Sequence, residues 1–502
     1  MGIPGQARRY TRRQMLASSA VLIMSACSAK PTPPKLAEPS RPVSKPPALR
    51  PNIVVFLADA LRADHLGCYG HSVATSPTID ALSKHSIVFE RCYSQAPWTK
   101  PSVASIFTGV LPRVHQAGMS HWHIRHLHSF PVQRLREQFV TLAEALQEAG
   151  YHTVMFMGNA MLQKGFGFEQ GFDKYWFTPG PAQGQMDKVV TWLEQEAREP
   201  FLLFVHEIDP HAPYRPSPEV FEQVFGVTPT KAFETLSGED QKLLNDLELF
   251  YERRAKGLVK DRSALFNLSV EGFGHMAQLY DAEIAGMDRQ VARLLRSLDD
   301  ADFADRTAFV LTSDHGEAFN EHRNFHHGRT LFDEEIHVPL IIRPPGQAVE
   351  TRVPWTISLY DLYPTLITLA GGTPPPPYVQ AQALLDAHGK PLVAADRAVF
   401  SDLDHYVAEV DRWDGCMVVG TEKVMTHGHG QHTAFYDRAA DPSERRDVLE
   451  GPQARELWLH RKLKAFLEEH EKHGQLAESF GEPEWTTGTE QLKDQLSALG
   501  YM

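Results

Sequence analysis

Asp59, Asp314 and His315 are two carboxylates and an imidazole, each placed where an apolar run gives way to polar residues. "NIVVFLAD" closes on Asp59, and "AFVLTSDHG" closes on the pair Asp314-His315. Carboxylates with an imidazole form a ligand set suited to a divalent cation. The adjacent Asp-His pair is the more telling, because Gly316 permits a tight turn that lets both side chains face one ion. A single aspartate at a strand end, by contrast, is more often a turn or cap residue.

A hydroxyl joins this set. In "SQAPWTKPSVASIFTG", Thr99 opens a helical pattern with Pro101 in its first turn. Two roles are compatible with that place. Thr99 can cap the helix, or it can be a nucleophile at a helix N-terminus whose partial positive charge favours an anionic substrate. A hydroxyl needs strong activation at neutral pH, which coordination to a cation supplies.

The elements that must position these residues follow from hydrophobic patterning. Ile53 to Leu57 reads as a buried parallel strand ending on a carboxylate. Similar strand-to-loop junctions occur in "TLAEALQEAGYHTVMFMGN" (141–159), "PFLLFVHEIDPHAPY" (200–214) and "DRTAFVLTSDHGEAF" (305–319), separated by helical patterns. This alternation predicts a doubly wound α/β sheet with ligands gathered at the carboxyl ends of its strands. Residues 217–275 read as a charged, mostly helical insertion, leading into a sheet-covering helix in "MAQLYDAEIAGMDRQVARLLRSL". Beyond the prolines at 374–377, a few antiparallel strands and a terminal helix predict a smaller subdomain. The expected partition is a catalytic domain over 51–385 and a C-terminal subdomain over 386–502.

Composition bounds the rest. A chain of 502 residues with 42% hydrophobic residues can bury a large core. Its net charge of −13 excludes the basic footprint of a nucleic-acid binder. Oligomeric state is not legible. At the N-terminus, Arg8, Arg9, Arg12 and Arg13 precede an apolar stretch from Met15 to Met24 that is too short to span a bilayer. Residues 1–27 therefore read as a signal peptide. "TRRQML" resembles a twin-arginine export signal, and "MSAC" resembles a lipobox that would make Cys27 the lipidated mature N-terminus. A plain secretory signal is the alternative. Residues 28–50 hold seven prolines and read as an extended spacer. The expectation is an exported, periplasmic or cell-surface lipoprotein, membrane-anchored through Cys27. Cys68, Cys92 and Cys416 remain after the signal; a Cys68–Cys92 disulfide is conceivable, but buried free thiols fit the odd number better.

Across nearly the whole mature chain, ordered motifs resemble the sulfatase family of the alkaline phosphatase superfamily. They include "NIVVFLADALRADHLGCYG", "SQAPWTKPSVASIFTG", "DPHAPY", "YDAEIAGMDRQVARLL", "TSDHGEAFNEHRNFHHGR", "YDLYPTLITLAG" and "YDRAADPSERRDV". The resemblance implies an α/β/α sandwich with a small C-terminal α+β subdomain, and a metal-dependent ester hydrolase or transferase. It implies metal-ligand positions at Asp59, Asp314 and His315, the nucleophile position at Thr99, and oxyanion or leaving-group positions at His211 and His327.

Several residues leave the family pattern. Typical sulfatases carry Cys or Ser in a C/S-x-P-S-R motif and oxidise it to formylglycine. Here the motif reads Thr99-Lys100-Pro101-Ser102-Val103, and oxidising a secondary alcohol would give a ketone, so no formylglycine is expected. The usual second aspartate is Ala60, the usual Asp-Asn is Asp314-His315, and "GNAM" puts Asn159 and Met161 at two cationic sulfate contacts. Fewer oxygens and an added imidazole favour zinc or manganese, with calcium or magnesium as alternatives. A threonine nucleophile and an Asp-His pair resemble instead the superfamily's phosphoethanolamine and phosphoglycerol transferases, phosphodiesterases and phosphonate hydrolases. The resulting expectation is hydrolysis or transfer of an anionic phosphate-type ester through a metal-bound Thr99, with Lys100 and Asn159 touching substrate. Lys100 can equally be a surface lysine. The alternatives are a sulfuric ester hydrolase without formylglycine and a catalytically silent binding lipoprotein. His115, His121, His123, His126 and His128 read as a solvent-facing loop that could line the pocket mouth, and "HGHGQH" (427–432) as a hairpin tip.

Overall fold

The run from Ile53 to Ala58 is apolar at every position because both faces of its strand are covered. Ile53, Val55 and Leu57 point into one hydrophobic layer and Val54, Phe56 and Ala58 into another, all fully buried. The computed structural model describes residues 50–118, 130–178, 182–255, 267–346, 350–403, 414–427, 432–448 and parts of 468–488. The expected signal peptide, the spacer up to residue 49, and His121, His123, His126 and His128 lie outside the described residues.

Eight strands form the main sheet: β1 (Asn52–Ala58), β2 (Ile87–Tyr93), β3 (His152–Met157), β4 (Lys174–Phe177), β5 (Phe201–Glu207), β6 (Thr307–Ser313), β7 (His337–Arg343) and β8 (Thr351–Ser358). Their order across the sheet is β8-β2-β7-β6-β1-β5-β3-β4. The contiguous strands β6, β1, β5, β3 and β4 are parallel. β7 is antiparallel to both β6 and β2, so the sheet is mixed. Between Ser313 and His337 the described helix is only Asp333–Ile336, too short for the crossover that a parallel return requires.

Six helices matter to the packing: α1 (Pro77–Ser83), α2 (Thr99–Thr108), α3 (Leu142–Glu148), α4 (Ala182–Gln195), α5 (Val270–Asp300) and α6 (Leu362–Leu369). α2, α3 and α6 cover one face of the sheet, whereas α1, α4 and α5 cover the other, giving an α/β/α sandwich. The 217–275 segment is helical over Pro218–Phe225, Pro229–Glu234 and Gly238–Ala255, and it leads into α5 as the periodicity predicts. α5 also secures the loop that leaves β1. Tyr280 Oη donates to the Ala60 carbonyl at 2.7 Å and accepts from the Arg62 N–H at 2.9 Å. Asp281 meets His65 and His71, and Asp288 accepts from the Thr78 and Ile79 N–H groups.

A second, antiparallel sheet comprises β9 (Val399–Leu403), β10 (Asp414–Val419), β11 (Glu422–His427) and β12 (His432–Asp437). Its last pairing is His427 with His432, and residues 428–431 of the "HGHGQH" stretch lie outside the described residues. Cys416, Val418, Met425 and Tyr436 pack this sheet on Tyr93, Leu331 and Ile336 of the main body. Lys423 Nζ and an Arg438 guanidinium nitrogen reach Asp333 at 2.9 and 2.7 Å across the same boundary. Cys68, Cys92 and Cys416 are unbonded thiols, so no Cys68–Cys92 bridge exists. Most of the expected terminal helix lies outside the described residues.

Candidate active site

Four neighbouring parallel strands deliver the cluster at their carboxyl ends. β1 leads to Asp59, β6 to Asp314 and His315, β3 to Asn159, and β5 to His206 and then His211. α2 brings Thr99 in from the side of the sheet. Asp59, Asp314, His315, Thr99 and Asn159 are all fully buried.

Thr99 is the first helical residue of α2. Trp98 occupies the cap position without a side-chain cap bond, so of the two roles open to Thr99 capping is not the one it takes. Its hydroxyl faces the cluster instead, 3.5 Å from Asp59 Oδ1, 3.3 Å from His315 Nε2 and 3.3 Å from Asn159 Nδ2. The positive end of α2 is thereby aimed at the same place. Asn159 Nδ2 also donates to Asp59 Oδ2 at 2.6 Å, and Asn159 Oδ1 accepts from the Met161 N–H. That second bond fixes the amide orientation.

His315 Nε2 lies 3.3 Å from Asp59 Oδ1 and 3.6 Å from Asp314 Oδ2. Its Nδ1 sits 2.8 Å from the Gly316 carbonyl, which makes Nδ1 the protonated nitrogen and leaves Nε2 turned to the carboxylates. Asp314 Oδ1 accepts from the N–H groups of His315 and Ala60, whereas Asp314 Oδ2 is buried with no hydrogen-bond partner among the described residues. Ser102 Oγ donates to the Asp314 carbonyl at 2.7 Å and ties α2 to the end of β6.

Electrostatics follow from burial among imidazoles. Burial would raise the Asp59 carboxyl, yet His211, His315 and His206 outweigh it and hold Asp59 well below the usual carboxylate range. Burial would lower the His315 imidazole, but Asp314 and Asp59 push it up to about 9. His327 goes the other way: burial, then the His315 and His211 charges, drive it well below its ordinary value.

His211, His315 and His327 stand side by side, with ring centroids 4.8 Å apart for His211–His327 and 4.2 Å for His315–His327. His211 Nδ1 is 2.5 Å from the Ala212 carbonyl, so its exchangeable position is Nε2. His327 Nδ1 is 3.0 Å from Glu317 Oε1. Glu317 is fully buried, and burial pushes its carboxyl up to about 7 against the pull of His211 and His315.

Two members of the cluster, Glu317 and His206, were not expected from sequence. Glu317 is visible in "SDHGE" only as the second residue after His315. His206 is hidden inside "FLLFVHE", where it resembles a core position. Two other residues depart from expectation. Lys100 was expected at the mouth of an anionic site or on the surface. It is fully buried instead, and its ammonium donates to the Gly118 carbonyl at 3.2 Å and to the Gln133 carbonyl. Desolvation lowers its pKa well below the ordinary value. His115 is not in a solvent-facing loop; it ends the short helix Pro112–His115 with Nε2 3.1 Å from both Ser105 Oγ and the Pro101 carbonyl, and burial pushes it down to about 3.

Comparison with known proteins gives a consistent outcome. The Sulfatase family model matches residues 51–372. An N-acetylglucosamine-6-O-sulfatase of Bacteroides thetaiotaomicron is 24% identical over 497 residues, spanning 84% of this chain and 86% of that protein. The fold resembles the phosphonate monoester hydrolase of Agrobacterium radiobacter (TM-score 0.65, 21% identity, 84% of this chain and 96% of that one). It resembles equally a 2-O glycosaminoglycan sulfatase (TM-score 0.66, 19% identity, 87% and 95%).

Proposed function

The chain belongs to the sulfatase family of hydrolases, and on that premise we propose that it cleaves or transfers phosphate-type esters, phosphodiesters or phosphonate monoesters, with Thr99 as the nucleophile. One observation carries this reading: the Thr99 hydroxyl sits at the N-terminal end of α2 within 3.5 Å of Asp59, His315 and Asn159. The Thr-Lys-Pro-Ser-Val motif around it offers no precursor for a formylglycine.

The residues present fit a divalent cation. Two carboxylates are buried together, the Nε2 of His315 faces them, and Asp314 Oδ2 lacks a hydrogen-bond partner among the described residues. Asp59, Asp314, His315 and Thr99 would hold the ion, with zinc or manganese favoured by the imidazole and calcium or magnesium as alternatives. When bound, it would acidify the Thr99 hydroxyl and offset charge on a non-bridging oxygen of the substrate.

The chain's own groups do the rest. Asn159, bonded to Asp59, holds the Thr99 hydroxyl in place and presents an amide donor where a typical sulfatase has a cation. Thr99 Oγ gives up its proton to a neighbouring base or to solvent and forms the new ester bond as the bond to the leaving oxygen breaks. His211 supplies a proton from Nε2 to that oxygen. His327, kept uncharged by its surroundings with Nδ1 committed to Glu317, presents an unprotonated Nε2 and is the group placed to accept a proton. Water or an acceptor alcohol then releases the group from Thr99 by a second in-line displacement.

A second reading, sulfuric ester hydrolysis without formylglycine, draws support from relatives named for sulfate esters. The test compares a nitrophenyl phosphodiester, a phosphonate monoester and nitrophenyl sulfate with wild type and Thr99→Ala, each loaded with zinc, manganese or calcium. Phosphoester turnover should fall by about three orders of magnitude or more in Thr99→Ala. Sulfate turnover that survives this substitution would place the nucleophile elsewhere. Export as a lipoprotein anchored at Cys27 belongs to the same proposal.

A further inference from the structure

Ala60 stands where the family pattern has a second aspartate, so the centre lacks one oxygen donor. The backbone still braces the site, because the Ala60 N–H donates to Asp314 Oδ1 at 3.2 Å. No carboxylate replaces the lost one from that loop. The neighbouring strand supplies a different group. His206 is the penultimate residue of β5, in register with Leu57 of β1 and Met157 of β3. It is fully buried, and neither ring nitrogen has a hydrogen-bond partner among the described residues.

A buried imidazole with two unpartnered nitrogens is rare, because desolvated polar groups normally find a partner. Here the imidazole is aimed at the carboxylates. His206 Nε2 lies 3.7 Å from Asp314 Oδ2 and 3.8 Å from Asp59 Oδ2. These separations are too long for hydrogen bonds. They are close to the distance between two ligands of one ion, about 3.0 to 3.4 Å for metal–ligand bonds near 2.1 Å. Asp314 Oδ2, itself unpartnered, has His206 Nε2 at 3.7 Å and His315 Nε2 at 3.6 Å. Two imidazole nitrogens thus flank one orphaned carboxylate oxygen, and neither is close enough to satisfy it.

We infer that His206 is a ligand of the cation held by Asp59, Asp314 and His315, supplying through Nε2 the donor that Ala60 cannot. This rests on the metal-centre reading above and adds to it a chain-specific consequence. A second imidazole moves the site further from calcium and toward zinc, manganese or cobalt.

The test uses the full chain, stripped with a chelator and reloaded. Electron spin-echo modulation of the manganese-loaded protein counts coordinated imidazole nitrogens. Two are expected in wild type and one in His206→Gln. Competition with a chromophoric chelator should show zinc affinity falling about tenfold or more in His206→Gln. Adding Ala60→Asp to that variant should recover affinity with calcium now preferred over zinc; the φ of 64° at position 60 suits aspartate at least as well as alanine. A single nitrogen in wild type overturns the inference whether or not the variant folds. Asp314→Asn separates the two levels. If Asp314→Asn loses the ion and His206→Gln keeps it at wild-type affinity, only the role of His206 falls; if both keep it, the metal-centre reading itself falls.

Discussion

His211 and His327 divide the proton traffic by which nitrogen each has committed. His211 Nδ1 is tied to the Ala212 carbonyl and His327 Nδ1 to Glu317, so each ring works through its Nε2. If His211 protonates the leaving oxygen, His211→Asn should slow esters of poorly acidic alcohols by about 10² to 10⁴, while nitrophenyl esters, which leave without help, lose far less. A leaving-group series read as kcat/KM checks this; equal losses across the series would assign the proton to another group. Asp59, Asp314 and His315 were legible in sequence because the adjacent Asp-His pair before a glycine closes one apolar strand and Asp59 closes another, a combination that a single turn or cap residue does not make. His206 was not, since an imidazole inside an apolar run is ordinarily a core residue and only the third dimension shows the carboxylates it faces. Lys100 misled for the opposite reason: its neighbour Thr99 is in the cluster, but on a helix adjacent side chains point about 100° apart.

The turn after β6 is the element on which the geometry depends most. A Cβ at Gly316 would stand 2.2 Å from the Glu334 carbonyl oxygen, a backbone atom in the short helix Asp333–Ile336 that precedes β7. Gly316→Ala must therefore shift either that segment or His315, whose Nδ1 rests on the Gly316 carbonyl. The expected cost is about 1 to 3 kcal/mol of stability, with weakened cation binding. Thermal melts with and without added metal measure both, and an unchanged melting temperature would mean that the turn yields freely. The sequence identified the strands β1, β3, β5 and β6, because continuous apolar runs bounded by helices leave little else for them to be. It did not reveal that β7 runs antiparallel, since strand direction depends on the length of the connection and not on the strand's own residues.

Across the whole molecule, Asp333 joins the C-terminal sheet to the main body by accepting from Lys423 and Arg438. Burial would raise the Asp333 carboxyl, but Arg438 and Lys423 prevail and hold it well below the usual carboxylate range. A carboxyl whose folded pKa is depressed contributes stability above its unfolded pKa of about 4 and loses it as pH falls through the lower, folded value. Asp333→Asn should therefore lower the melting temperature by several degrees at pH 7, with the gap to wild type closing below pH 4. A pH-independent gap would point to packing in place of charge. At the other end of the chain, Cys27→Ser should move the protein from the membrane fraction to the soluble fraction after cell fractionation; retention on the membrane would contradict lipid anchoring. The strand order has a further consequence, for biosynthesis. β1 finds its neighbours in residues 201–207 and 307–313, so the first strand translated has no flanking partner until about two-fifths of the chain exists and lacks its second until about three-fifths does. At about 5 to 20 residues per second, the roughly 150 residues from β1 to β5 take about 7 to 30 s, and β6 needs about 5 to 20 s more. During that interval the apolar segment Ile53–Ala58 waits on the nascent chain, which makes it a stretch in need of a chaperone. It also means that no ribosome-bound chain shorter than about 315 residues can assemble Asp59, Thr99, Asp314 and His315 into one place.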